Sequence, residues 1–131
     1  MPKATFVAVI ANFTDTEIKL SNLENKNEET CAALSADTAY KMTFPWAETE
    51  NDYNNNRKLV VSKIIGSVFA PVYWLWERNG KVYISAKDDW KNGELVSGDS
   101  DGGTWWKILN FTNAPSTGGY SISLKNIKDI E

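Results

Sequence analysis

The chain contains no histidine, and that absence removes much of the chemistry a small protein commonly performs. Without imidazole there is no Ser-His-Asp or Cys-His arrangement and no side chain whose ordinary pKa lies near neutrality. The one cysteine, Cys31, excludes an intrachain disulfide and a multi-thiolate zinc site. A buried, inert thiol is its expected state. Basic residues do not cluster beyond Arg57–Lys58 and the net charge is −3. The basic face that nucleic acid requires is therefore missing. No Walker-type or dinucleotide-binding glycine loop occurs. Hydrophobic runs are short: Phe6 to Ala11 can neither span a bilayer nor serve as a secretory core. The expectation is cytoplasmic synthesis without a signal peptide, with any release by a non-classical route. Asn12-Phe13-Thr14 and Asn110-Phe111-Thr112 match the glycosylation acceptor pattern, and without a secretory signal both read as turns.

What the chain does have is alternation and tryptophan. Its 131 residues suit one domain with a real core, so residues 1–131 are read as a single unit. The hydrophobic period is two. Strands are predicted at Thr5–Ala11, Ile18–Leu20, Tyr40–Phe44, Lys58–Lys63, Val72–Arg78, Lys81–Ala86, Thr104–Asn110 and Tyr120–Asn126. Glu94–Ser97 is the candidate for a short ninth. Glu24–Glu29 and Glu48–Asn56 read as polar loops, and alanine-rich Thr30–Ala39 as a short helical turn. Eight or nine strands with no convincing helix predict an all-β protein, a single-domain antiparallel β-sandwich, with a closed β-barrel as the alternative. The two Asn-Phe-Thr segments, each followed by a strand, read either as two pseudo-equivalent hairpins at the chain ends or as coincidence, and over so few positions coincidence is the better account.

Six tryptophans dominate the functional reading. Asn79-Gly80 between two alternating runs is a strong hairpin signal, because both turn positions require positive φ. It pairs Arg78 with Lys81, Glu77 with Val82, Trp76 with Tyr83, Leu75 with Ile84 and Trp74 with Ser85. One face then carries Trp74, Trp76, Tyr83, Ser85, Arg78 and Lys81; the mainly aliphatic other face reads as core. Flat aromatics beside hydroxyl and cationic groups suit stacking on a sugar or seating among lipid headgroups. The same rings also serve simple cross-strand packing. Trp105 and Trp106 are adjacent in a strand and point to opposite faces, so one of them is expected at the surface. Trp46 follows a proline and precedes the asparagine loop that includes Asn54, which places hydrogen-bonding edges near a stacking plane. The candidate ligand-binding set is Trp46, Trp74, Trp76, Tyr83, Trp90, Trp105, Trp106, Asp88, Asp89, Asp99, Asp101 and Asn54.

Gly98 to Gly103 resembles a calcium loop, but an EF-hand loop opening at Asp99 would need glutamate where Asn110 stands. No metal and no cofactor is assigned. Carboxylates at Glu77, Asp88, Asp89, Glu94, Asp99 and Asp101 allow a glycosidase pair in principle, but their spacing selects no two of them. The expectation is a protein that is not an enzyme.

Stretches near both ends of the sequence carry a resemblance. Phe6-Val7-Ala8-Val9-Ile10-Ala11-Asn12 through Ile18-Lys19-Leu20-Ser21-Asn22-Leu23, together with Thr104-Trp105-Trp106 and Gly119-Tyr120-Ser121-Ile122-Ser123-Leu124, look like the aegerolysin family of small fungal and bacterial β-sandwich proteins. Pro45 to Gly103 matches no pattern of that family, and no functional residue is carried over. The resemblance implies membrane-lipid recognition and sometimes a pore-forming partner. The leading expectation is a recognition protein for carbohydrate or membrane-lipid headgroups, lectin-like or cytolysin-like, with a defence or toxin role. A homo-oligomer would add avidity. The alternative is an inhibitor or immunity protein whose acidic loops meet a basic partner.

Overall fold

A computed structural model describes residues 5–38, 42–98, 100–101, 106–114 and 119–126. The fold is an all-β sandwich of two sheets, not closed into a barrel. One sheet has five strands in the order β4 (Ser35–Thr38), β1 (Phe6–Asn12), β10 (Trp106–Ala114), β11 (Gly119–Asn126), β9 (Ser97–Gly98). The other has six: β3 (Glu28–Cys31), β2 (Ile18–Asn22), β5 (Leu59–Ile65), β6 (Val68–Arg78), β7 (Lys81–Ser85), β8 (Glu94–Leu95). Pairing is mainly antiparallel, but β1 runs parallel to β10 and β9 parallel to β11. Segment 94–98 passes from one sheet to the other, with Val96 buried between its two short strands.

The core follows from side-chain alternation corrected by two bulges. Ala8 is the extra residue where β1 slips against β10, so Val7 and Ile10 both face inward although three positions apart. Val72 is the corresponding extra residue of β6 opposite Val61 and Ser62. Ile18, Leu20, Val61, Leu75, Val82, Leu109, Phe111, Ile122 and Leu124 fill the space between the sheets. Cys31 joins them as a free, buried thiol. Burial first of all pushes its pKa up, which keeps the sulfur protonated. Tyr73 and Tyr120 tie the layers together. The Tyr73 hydroxyl donates to the Tyr120 carbonyl at 2.9 Å and accepts from the Tyr120 N–H at 3.1 Å.

Several local expectations are corrected. Residues 28–38 form β3 and β4 rather than a helical turn, because pairing with β2 and β1 overrides the mild helical preference of alanine. Glu50–Asn54 is a short helix, α1, within the expected loop. Met42–Phe44 touches β1 through one isolated bridge, Phe6 to Thr43, while Tyr40 lies outside the described residues. Asn12 ends β1 before a turn, whereas Asn110-Phe111-Thr112 runs through the middle of β10. The two segments are not equivalent hairpins.

The Tyr73 bridge is testable. Tyr73→Phe removes the hydroxyl from both backbone groups of Tyr120 and should cost about 1–3 kcal/mol. Urea denaturation would show it as a lower midpoint with an unchanged slope.

Candidate functional site

The hairpin of β6 and β7 has the register expected from Asn79-Gly80, with Trp76 opposite Tyr83 and Trp74 opposite Ser85. Both turn residues have positive φ, 53° and 74°, the conformation that favours asparagine and glycine there. Leu75 and Val82 enter the main core on one side. On the other side two segments fold down over the sheet. Ala47 and Tyr53 of the first, and Trp90 of the second, gather with Trp74, Trp76 and Tyr83 into a second apolar cluster.

Trp76 is the centre of that cluster, and only 1% of it is exposed. Tyr53 meets its ring edge-on at 5.0 Å, and Tyr83 stacks on it at 6.3 Å with 16° between planes. A Cβ on Gly93 would lie 2.4 Å from Trp76 Cζ2, so the chain crosses the indole where only glycine fits. Its Nε1 has no hydrogen-bond partner among the described residues. The expectation that Trp76 is displayed outward is therefore corrected. It packs, because loops distant in sequence supply a cover that strand alternation alone does not reveal.

Around this buried ring, Trp74, Tyr83 and Trp90 are half-buried. Trp90 Nε1 donates to the Ala47 carbonyl at 3.1 Å. The Arg78 guanidinium lies 4.1 Å from the Trp90 ring and 5.9 Å from that of Tyr83, within range of cation–π attraction. Three partly exposed rings and one guanidinium thus form a packed band on the outer face of the six-stranded sheet.

The acidic candidates hold this arrangement together. Asp88 Oδ1 accepts from the Tyr53 hydroxyl at 2.7 Å and from Lys58 Nζ at 3.0 Å, while Lys58 also lies 4.2 Å over the Tyr53 ring. Partial burial alone would raise the Asp88 pKa, but the two donors and the lysine charge outweigh it and hold the carboxyl below its ordinary value. Burial and then the Asp88 carboxylate push the Tyr53 phenol far up, so it stays a donor. Asp89 caps the 3₁₀ turn at Trp90–Asn92 through the Lys91 N–H. Asn54 is exposed at the end of α1.

The remaining candidates lie apart from the band. Asp101 pairs with Lys81 at the sheet edge. Trp106 stacks on Phe6 in the other sheet, with centroids 5.0 Å apart and 41% of the residue exposed. Trp46 bridges to the Glu77 backbone and lines a separate hollow of about 290 Å³ with Glu24, Thr43 and Arg57. Asp99 and Trp105 lie outside the described residues.

Sequence reasoning missed Tyr53, Lys58 and Gly93. The helix that delivers Tyr53 had a readable signal in Thr49-x-x-Asp52, where the Thr49 hydroxyl accepts from the Asp52 N–H at 3.1 Å. Nothing comparable points to Gly93.

Glu77 was expected on the core side of the hairpin and is buried there, 3% exposed. Thr5 Oγ1 donates to it at 2.6 Å. Burial raises its pKa, and the Thr5 donor offsets that only in part. The folded state therefore holds the Glu77 proton more tightly than the unfolded chain does. Its contribution to stability is complete below the ordinary glutamate pKa and is lost as pH rises through the elevated folded value. Glu77→Gln should flatten that decline, leaving the variant relatively more stable on the alkaline side, as thermal melts across pH would show. Gly93→Ala should cost about 1–3 kcal/mol through overpacking against Trp76, read as a lowered melting temperature.

Comparison with protein-family models, with curated proteins and with solved structures finds no match for this chain.

Proposed function

We propose that the protein is a non-enzymatic recognition module for a hydroxylated ring with an apolar face: a sugar, free or displayed on a membrane-lipid headgroup. The observation that carries this reading is the band of Trp74, Tyr83 and Trp90, half-exposed rings held over a buried Trp76. Such rings present apolar area with polar edges. Holding them rigid before the ligand arrives lowers the entropy lost on binding. Arg78, seated against Trp90, contributes guanidinium N–H donors beside the stacking planes. The likeness of the chain ends to aegerolysins favours the lipid-displayed form of the ligand.

In this reading Trp74 and Tyr83 contact the ligand, Arg78 and Trp90 flank it, and Trp76, Tyr53 and Asp88 position the contact residues. A glycan array, paired with flotation on glycolipid-bearing vesicles, separates the two sources of the sugar. Binding to at least one of them is expected, and Trp74→Ala and Tyr83→Ala should each weaken it about tenfold or more. Failure to bind any glycan or glycolipid vesicle, with tryptophan emission unquenched by iodide, would overturn the proposal.

A further inference from the structure

β6 and β7 differ in length, and the difference opens a hollow between the two sheets. β6 runs for eleven residues and β7 for five. β7 stops at Ser85, opposite Trp74, so Tyr73 and the earlier part of β6 have no partner in β7. Segment 94–98 and β11 bound the remaining space, a hollow of about 460 Å³, within the usual range of small-molecule sites. Tyr73, Ile84, Leu95, Tyr120 and Ile122 give it apolar walls. The Tyr73 hydroxyl already clasps both backbone groups of Tyr120. Walls ordered in advance lower the entropy lost on binding.

Two charged side chains line the same hollow, Lys87 and Glu94. Both are exposed, and among the described residues neither is paired, with the other or with anything else. The charges around them are engaged elsewhere. Asp88 holds Lys58, Asp89 holds the Lys91 N–H and the Asn92 amide, and Lys91 pairs with Glu50. Lys63 stands 5.8 Å over the Tyr120 ring and does not line the hollow. A ligand seated here takes water from both charges at once. A simple anion would leave Glu94 uncompensated, a simple cation would leave Lys87 so, and a neutral sugar would answer neither. Leu95, 53% exposed, leaves apolar surface beside them for the same ligand to cover.

We propose that this hollow binds a free α-amino acid with a large apolar side chain. The ligand carboxylate meets the Lys87 ammonium, its ammonium meets the Glu94 carboxylate, and its side chain lies among Ile84, Leu95 and Ile122. Both polar contacts are charge-assisted, the stronger class of hydrogen bond. A residue inside a peptide carries neither charge, so the lining selects the free amino acid over a peptide segment. Trp74, Tyr83 and Trp90 do not line the hollow, and the site requires no sugar.

The test is an NMR titration of the full chain with L-phenylalanine. Saturable shifts are expected at the amides of Ser85, Lys87, Glu94 and Leu95. Affinity should fall about tenfold or more for phenethylamine, which lacks the carboxylate, and for hydrocinnamate, which lacks the ammonium. Lys87→Met should weaken L-phenylalanine to the same degree and leave phenethylamine unaffected. Glu94→Gln should weaken L-phenylalanine likewise and leave hydrocinnamate unaffected. Leu95→Ser should weaken all three ligands alike. Lys87 and Glu94 are exposed, so the melting temperatures of their variants should match the wild type, which separates lost binding from lost fold. Absence of saturable shifts with L-phenylalanine would defeat the proposal, as would analogues that bind as tightly as the zwitterion. Equal affinity for acetyl-phenylalanine amide would also defeat it, by identifying a peptide segment as the occupant. Trp74→Ala should bind L-phenylalanine like wild type, so failure of the sugar reading leaves this result untouched.

Discussion

Covering β6 on both faces is the constraint on which the rest of the molecule depends. A sandwich strand ordinarily buries one face and wets the other, but the central part of β6 has Leu75 in the main core and Trp76 in a second apolar cluster. That second cluster requires a lid, and two connections supply it: the stretch carrying Ala47 and Tyr53, and the turn carrying Trp90. The carboxylates near the lid are accordingly fasteners, with Asp88 holding Tyr53 and Lys58, and Asp89 shaping the turn under Trp90. Recognition chemistry, on the reading advanced above, occupies the rim of a structure whose centre is fixed by packing.

A second organising contact lies at the far end. Asn12 is buried and joins the turn after β1 to the segment between β3 and β4 through five hydrogen bonds of one side chain. One amide thereby stands in for backbone pairing where three strands end together. It orders a region in which Phe13 and Leu34 stand exposed.

How much of this could be read in the amino-acid order depends on how local the determinant is. The hairpin register was legible because Asn79-Gly80 specifies its turn within two residues. The sandwich class was legible because alternation recurs along the whole chain. β3 and β4 were not, since their pairing is supplied by β2 and β1 and not by their own alanines and serines. The burial of Trp76 was equally hidden. It depends on Gly93 and Tyr53, seventeen and twenty-three positions away in opposite directions along the chain. Of the candidate residues, Trp74, Tyr83 and Trp90 do share a surface, whereas Trp46 and Trp106 belong to other parts of the fold.

The parallel pairing of β1 with β10 has a consequence for biosynthesis. Phe6 sits beside Trp106, so the central ladder of the five-stranded sheet joins segments 100 positions apart in sequence. A ribosome must add about a hundred residues after Phe6 before β1 can find this neighbour. Until then the early hydrophobic strand lacks half its hydrogen-bonding partners. Long loops must close before such contacts reward the chain. Assembly of this layer is accordingly a late event, slower than formation of the hairpin between β6 and β7.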